Sequence, residues 1–207
     1  MTDNETKRHL GRSADLRSRL IREAEGILER DGLDALTLRG IARAAGVSHM
    51  APYRHFDDKD ALLAAVAESG FRQLGAAMGG DIGGLAAKDR LQMIGVGYIR
   101  FAREHPALYR LMFGPAKPDS TRFPELAEAS RAAFACCARA VDARVSGSPT
   151  GSAAEALTVA TWSLVHGLAS LMIDGRLPQA RSPDVENALI EQVLMVFGRV
   201  FPPIPGA

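Results

Sequence analysis

Two cysteines, one tryptophan and an aromatic share of 6% are a sparse endowment for 207 residues. The cysteines are adjacent, Cys136 and Cys137, and neighbouring cysteines fit disulfide geometry poorly. They read as small apolar groups on a helix, in a reducing compartment. No further ligands lie close to them in sequence, so no metal is expected. A surplus of one charge is also missing: 25 Lys and Arg face 24 Asp and Glu, a net charge of +1. Affinity for a polyanion must therefore come from the placement of basic groups. No apolar run approaches the roughly 20 residues that cross a membrane, and the polar N-terminus is no signal peptide. A cytoplasmic protein without a membrane partner is expected. Gly-rich phosphate loops, a nucleophile elbow and carboxylates paired in apolar surroundings are absent too. His166 has no Asp or Glu partner in sequence. These gaps argue against an enzyme and against a cofactor.

What is present is helical periodicity. The 47% hydrophobic content suits one large or two small domains. Residues 1–11 are polar and expected to fray. Residues 14–30 then repeat Leu16, Leu20, Ala24, Ile27 and Leu28 on one face, with Ser13 as N-cap. Asp31-Gly32 ends this helix. Further helices are predicted over 37–45, 48–56, 57–78, 88–104, 106–113, 124–145, 152–174 and 183–201. The fold class is all-α, about nine helices without a strand. The break at Gly79-Gly80 and Gly83-Gly84 and the loop 147–151 separate them. Gly95 and Gly97 are odd in a helix interior; they allow close packing or leave room for a ligand.

Residues 37–56, TLRGIARAAGVSHMAPYRHF, are the most telling. Leu38, Ile41, Ala42 and Ala45 line one face of a short helix. Gly46 suits a left-handed residue past its end, and Ser48 suits the N-cap of the next helix. Two short helices around a Gly-containing turn make a helix-turn-helix, whose second helix enters the DNA major groove. Thr37, as N-cap, offers N–H groups to a phosphate. Arg39 and Arg43 reach a base or a phosphate. Ser48, His49, Met50 and Pro52 form the first turn of the reading helix. His49 suits a base edge, Met50 a thymine methyl, and the Pro52 ring an apolar base contact. Packing beneath the helix is the other reading of Met50 and Pro52. Pro52 also removes an N–H, which tightens the helix start. Tyr53 and His55 suit backbone phosphates, Arg54 either a phosphate or a base, and Lys59 completes the clamp. Phe56 is expected in the core. Upstream, Lys7, Arg8, Arg12, Arg17, Arg19 and Arg22 face one acid, Asp15, a basic bias suited to phosphates.

Gly46-Val47-Ser48, Tyr53, His55-Phe56 and Lys59, in this order and spacing, resemble the signature of the tetracycline-repressor (TetR) family of transcriptional regulators. The resemblance implies an N-terminal helix-turn-helix domain, 1–60, and a C-terminal effector-binding and dimerisation domain, 61–207. It implies a repressor, a homodimer on double-stranded palindromic operator DNA, released by a small-molecule effector. It also implies that Thr37, Tyr53, His55 and Lys59 touch the DNA backbone while the start of the reading helix reads bases. TWSLVHGLASLM and YIRFAREHPALYRLMF resemble one subgroup of that family, with a Trp…His-Gly helix in its C-terminal domain.

In the C-terminal part, the last two helices are apolar on two sides. On the first, Leu157, Leu164, Leu168 and Leu171 make one stripe and Trp162, Val165, Ala169 and Ile173 the other; on the second, Leu189, Val193, Val196 and Val200 make one and Ile190, Leu194, Phe197 and Phe201 the other. One side meets the chain's own core; the other is expected to meet a second copy, with Leu157, Leu164, Leu168, Leu189, Val193, Val196 and Phe197 at the interface. A pocket wall of Tyr98, Phe101, Met112, Phe113, Phe134, Trp162, His166 and Met172 suits a hydrophobic or aromatic effector. The same residues equally describe a plain core, and a lone His on an apolar helix is more often a satisfied core residue. Gly167 beside it allows a close helix approach. The helix 57–78 is the natural lever between effector and DNA. An architectural DNA binder without ligand control is the other reading.

Overall fold

The computed structural model describes residues 3–79, 86–144, 152–177 and 182–200. Eight α-helices, two 3-10 helices and no strand occur among them. Two compact units result, and neither is a continuous stretch of chain. The first comprises Met1–Gly70 and His105–Ala127; the second comprises Phe71–Glu104 and Glu128–Ala207. This division differs from the expected border after residue 60. The reason is that α5 (Pro106–Phe113), though later in sequence, folds onto α1 (Asp3–Asp31) in the first unit.

In the first unit, α1 starts at Asp3 rather than 14, because nothing in residues 3–13 stronger than a single glycine breaks it. Leu20, Ala24, Ile27 and Leu28 are buried as the periodicity requires. Gly32, at φ 83, turns the chain, and its N–H bonds back to the Leu28 carbonyl at 3.1 Å. A 3-10 turn, Leu33–Ala35, leads to α2 (Leu38–Ala44). Here Thr37 Oγ1 accepts the Gly40 N–H at 3.0 Å, an N-cap. At the other end Gly46 lies at φ 63, its N–H on the Arg43 carbonyl and the Val47 N–H on the Ala42 carbonyl. That pair of bonds is a Schellman closure. Leu38, Ile41, Ala42 and Ala45 are all buried.

The expected second helix of the motif is not a full α-helix. A 3-10 turn, Pro52–Arg54, follows Ala51 as N-cap, so Ser48 does not cap it. Proline explains this. The α-type bond at residue 52 would run from its N–H to the Ser48 carbonyl, and proline has no N–H. The Ala51 N–H takes that carbonyl instead, at 2.9 Å, which winds the turn tighter. Eight α-helices therefore replace the nine expected.

The next helix, α3 (Lys59–Met78), is capped by Asp58, whose Oδ1 accepts the Ala61 N–H at 2.7 Å. Its residues up to Gly70 belong to the first unit. A Cβ on Gly70 would stand 2.5 Å from Met112 Sδ, so α3 and α5 cross closely there. The carboxylate of Glu29 on α1 accepts the N–H groups of Ala107 and Leu108 at 3.1 and 2.9 Å, capping α5 behind Pro106.

The second unit holds α4 (Ala87–Glu104), most of α6 (Pro124–Arg144), α7 (Ser152–Ile173) and α8 (Pro183–Val200). α4 packs on both α7 and α8. Gly95 and Gly97 serve close packing. A Cβ at 95 would lie 2.8 Å from Leu194 on α8, and one at 97 only 2.2 Å from the Ala77 carbonyl oxygen. Gly167 is different: a Cβ there meets nothing described within 4 Å, so it marks no close approach. Arg103 ties α4 to the start of α8 through Glu186 at 2.7 Å and Asn187 at 2.9 Å. Cys137 is buried and its thiol is pushed up to about 11, first by desolvation; Cys136 accepts a bond from Arg139 at 3.2 Å.

One expectation fails by composition. Ala154–Ile173 on α7 is 20 residues long with mean hydropathy 1.5, enough in length and apolarity to cross a membrane. Its polar residues are uncharged Thr and Ser plus His166 from Thr158 onward, which is why the run is so apolar. Only 28% of the span is buried within the chain. The glycine break at 80–84, the loop 147–151 and Phe201 lie outside the described residues.

Candidate DNA-binding interface and effector cluster

The caps of α2 decide what the first unit shows to solvent. With Leu38, Ile41 and Ala42 turned inward, Thr37, Arg39 and Arg43 are exposed. Past the Gly46 turn, Ser48, His49 and Met50 are exposed, Met50 by 56%. Tyr53, Arg54 and Lys59 are exposed as well, and His55 is half-buried. Ten of the eleven expected DNA contacts thus reach solvent. Pro52 does not: it is buried, so its ring supports the turn from beneath and offers no base contact. Its position follows from the turn, which carries Tyr53 and Arg54 outward and leaves Pro52 and Phe56 inward. Phe56 is 2% exposed and belongs to the core.

Two arginines that periodicity did not single out hold this surface. Arg19 on α1 donates to the Ala45 carbonyl, one of the last carbonyls at the α2 C-terminus. Arg17 lies 5.8 Å above the Phe56 ring and 3.7 Å from Glu68. Burial, then the charges of Arg17 and Arg54, hold the His55 imidazole below the ordinary 6.5. His55 is therefore neutral near pH 7, a donor of one N–H rather than a cation.

The expected effector residues divide between the units. Met112 and Phe113 belong to the first; Met112 is buried against Gly70, and the Phe113 ring lies 4.8 Å from Tyr109. In the second, Tyr98, Trp162, His166 and Phe134 form one cluster. Tyr98 is fully buried, and its hydroxyl shares a 2.9 Å hydrogen bond with His166 Nδ1. Trp162 meets Tyr98 edge-on at 5.2 Å and Phe134 at 5.3 Å. Desolvation pulls His166 below its ordinary value, so the ring is neutral. Phe101 is buried and Met172 half-buried in the same unit. His166 is thus a satisfied residue with a tyrosine partner 68 positions away. Spacing along one helix could not show that.

On the last two helices, Val165, Leu168, Ala169, Ile190 and Leu194 are buried within the unit. Leu168, expected at an interface, therefore faces inward, on the same side as Thr161 and Val165. Leu157, Leu164, Leu189, Val193 and Phe197 are half-buried and Val196 is 58% exposed. Val159, Leu171, Val185 and Met195 add to the exposed apolar surface.

Comparison with known proteins agrees with this geometry. Residues 20–66 match the family described as bacterial regulatory proteins of the tetR family. Residues 91–197 match the tetracyclin repressor-like C-terminal domain. The chain belongs to the TetR family of transcriptional regulators. Among solved structures, a Rhodococcus sp. RHA1 protein of unknown function is 34% identical, with a TM-score of 0.73 over 89% of this chain and 92% of its own. The TetR-family regulator PfmR of Thermus thermophilus is 18% identical, with a TM-score of 0.60 over 86% and 97%. A TetR-family regulator from Mesorhizobium loti is 21% identical, with a TM-score of 0.67 over 92% and 98%. A comparison with curated sequences finds no match. As a TetR-family member the chain is a DNA-binding regulator, and no cluster of three metal-ligating side chains occurs among the described residues.

Proposed function

We propose that this TetR-family chain is a cytoplasmic repressor that binds a palindromic operator as a homodimer and leaves it when a small hydrophobic or aromatic effector binds. The observation that carries the DNA part is the row of exposed polar and basic side chains around the Gly46 turn. Thr37, Arg39, Arg43, His49, Met50, Tyr53, Arg54 and Lys59 all reach solvent over a buried scaffold. Tyr53, His55 and Lys59 anchor to phosphates, and His49 and Met50 read bases.

The homodimer is supported by apolar surface. Val196, Met195, Val185, Leu171 and Val159 are exposed on two long helices. Together with half-buried Leu157, Leu164, Leu189, Val193 and Phe197 they form surface that a second copy would cover. Two heads on a two-fold axis then read half-sites about one helical turn, ~34 Å, or a multiple apart. The effector reading rests on the Tyr98, Trp162, His166 and Phe134 cluster, aromatic with one polar pair. To act, the effector must favour one arrangement of the heads over another.

Selection of bound duplexes from a random pool tests the reading. A palindrome of fixed spacing is expected. Enrichment of no sequence, with broad coating of DNA, would instead mean an architectural protein. Sedimentation at micromolar concentration checks the dimer, and Val196→Glu should yield monomers.

A further inference from the structure

The segment between α5 and α6 contains the turn Asp119–Arg122, closed by the Arg122 N–H on the Asp119 carbonyl at 3.1 Å. The Asp119 carboxylate accepts both the N–H and the hydroxyl of Thr121, at 2.9 and 2.8 Å. This local fold aims one side chain. The Arg122 guanidinium lies over the Phe123 ring at 5.3 Å, donates to Asp60 Oδ2 at 3.1 Å and stands 3.8 Å from Asp58. Arg122 and Asp60 themselves line a recess of about 200 Å³, together with Leu63, Pro115, Lys117 and Pro118. Arg122 thus meets the ring and both carboxylates while staying about half exposed.

Its partners flank Lys59. Residues 57–60 read Asp-Asp-Lys-Asp, three carboxylates against one ammonium, directly after the reading turn. A polyanion approaching this end of α3 meets a net repulsive cluster unless something offsets it. We propose that Arg122 is a positioning residue for DNA binding: it clasps Asp58 and Asp60, masks their charge, and so allows Lys59 to face phosphate. The proposal rests on the DNA-binding reading of this surface. All three clasp side chains are about half exposed, so the pair adds little to folding. Its effect is on the field that DNA encounters within about 8–10 Å.

The test is DNA binding by the full-length wild-type chain and by R122A, D60N and R122A/D60N, on a selected duplex and on a scrambled one. R122A should lose about three- to tenfold in affinity for both duplexes at low salt, and the deficit should shrink as salt rises. D60N added to R122A should restore binding to within about twofold, since it removes the charge that Arg122 had masked. A purely structural clasp would show no rescue, because the double variant lacks both partners. R122Q, nearly as long as arginine, repeats the measurement if R122A melts early. Wild-type affinity in R122A and R122Q, or a double variant as weak as R122A, overturns the proposal. If the wild-type chain itself binds no duplex, the DNA reading falls and this inference with it.

Discussion

The first unit turns its corners with directional hydrogen bonds, and the second brings long helices together over glycines. In the first, Thr37, Asp58 and Glu29 each satisfy N–H groups at a helix start. Gly32 and Gly46 supply the positive φ values that let short elements reverse. In the second, long helices press together over Gly95 and Gly97, and Leu194 fills the space a Cβ would take. A unit that must hold a reading turn in one orientation uses directional bonds at every corner. A unit with apolar surface on α7 and α8 can rely on burial, which is non-directional. The contrast predicts that glycine substitutions behave differently in the two.

The largest effect should come from Gly97→Ala. Its Cβ would sit 2.2 Å from a backbone oxygen, which cannot move aside as a side-chain tip does. A loss of about 2–3 kcal/mol is expected even after the gain in helix propensity. In the first unit, Gly46→Ala should lose about 1 kcal/mol, from its left-handed backbone alone. Gly26→Ala should instead stabilise by about 0.5–1 kcal/mol, since a Cβ there meets nothing within 4 Å on a helix interior. Urea denaturation of the three variants settles the order. A Gly97→Ala protein as stable as wild type would remove the claim that α4 packs on backbone.

DNA binding sharpens the same comparison. Tyr53→Phe combined with Lys59→Ala should weaken binding about tenfold on operator and scrambled DNA alike, since in the proposed complex both groups meet phosphates. His49→Ala should change base preference at one position and leave scrambled DNA nearly unaffected. Titrations at two salt concentrations separate the cases. If Tyr98→Phe in the second unit weakened the DNA-bound state as much as Tyr53→Phe, the division of roles would be wrong.

Legibility follows the same division. The ends of α2 were readable because Thr37 and Gly46 act within a few residues of where they stand. The inward faces of α1 and α2 follow from spacing alone. Pro52 shows the limit: the lost N–H was evident, yet whether its ring pointed to DNA or to the core depended on how tightly the turn wound. Arg17, Arg19, Glu29 and Arg122 were invisible as organisers because their partners are remote, Glu68, Ala45, Ala107 and Asp60. In the second unit, Leu168 and Leu171 both satisfied the outer stripe, but only their burial in the folded unit tells them apart. That Met112 and Phe113 belong to the first unit was not legible, because aromatic and sulfur side chains carry no address. α7 escaped notice as an apolar span because its small residues dilute the hydropathy that Leu, Val and Met supply.

The smallest effect is the most discriminating, since among the described residues each unit carries one half-buried histidine with a lowered pKa. For His166 the fold disfavours the proton, so the native state binds fewer protons than the unfolded chain. Stability should therefore fall as pH drops below the ordinary 6.5 and stay level above it. His166→Gln should reduce that slope, and Tyr98→Phe should lose about 1 kcal/mol at pH 8 by deleting the hydroxyl that His166 meets. His55 carries the same sign for folding. In the proposed complex a phosphate beside His55 would favour the imidazolium, so binding would take up a proton that the free chain disfavours. Operator affinity should then rise as pH falls through the same window, and His55→Gln should flatten it while leaving the His166 stability slope intact. Affinity that falls with pH in the wild-type protein would place His55 away from the phosphates, and the anchor set would shrink to Tyr53 and Lys59.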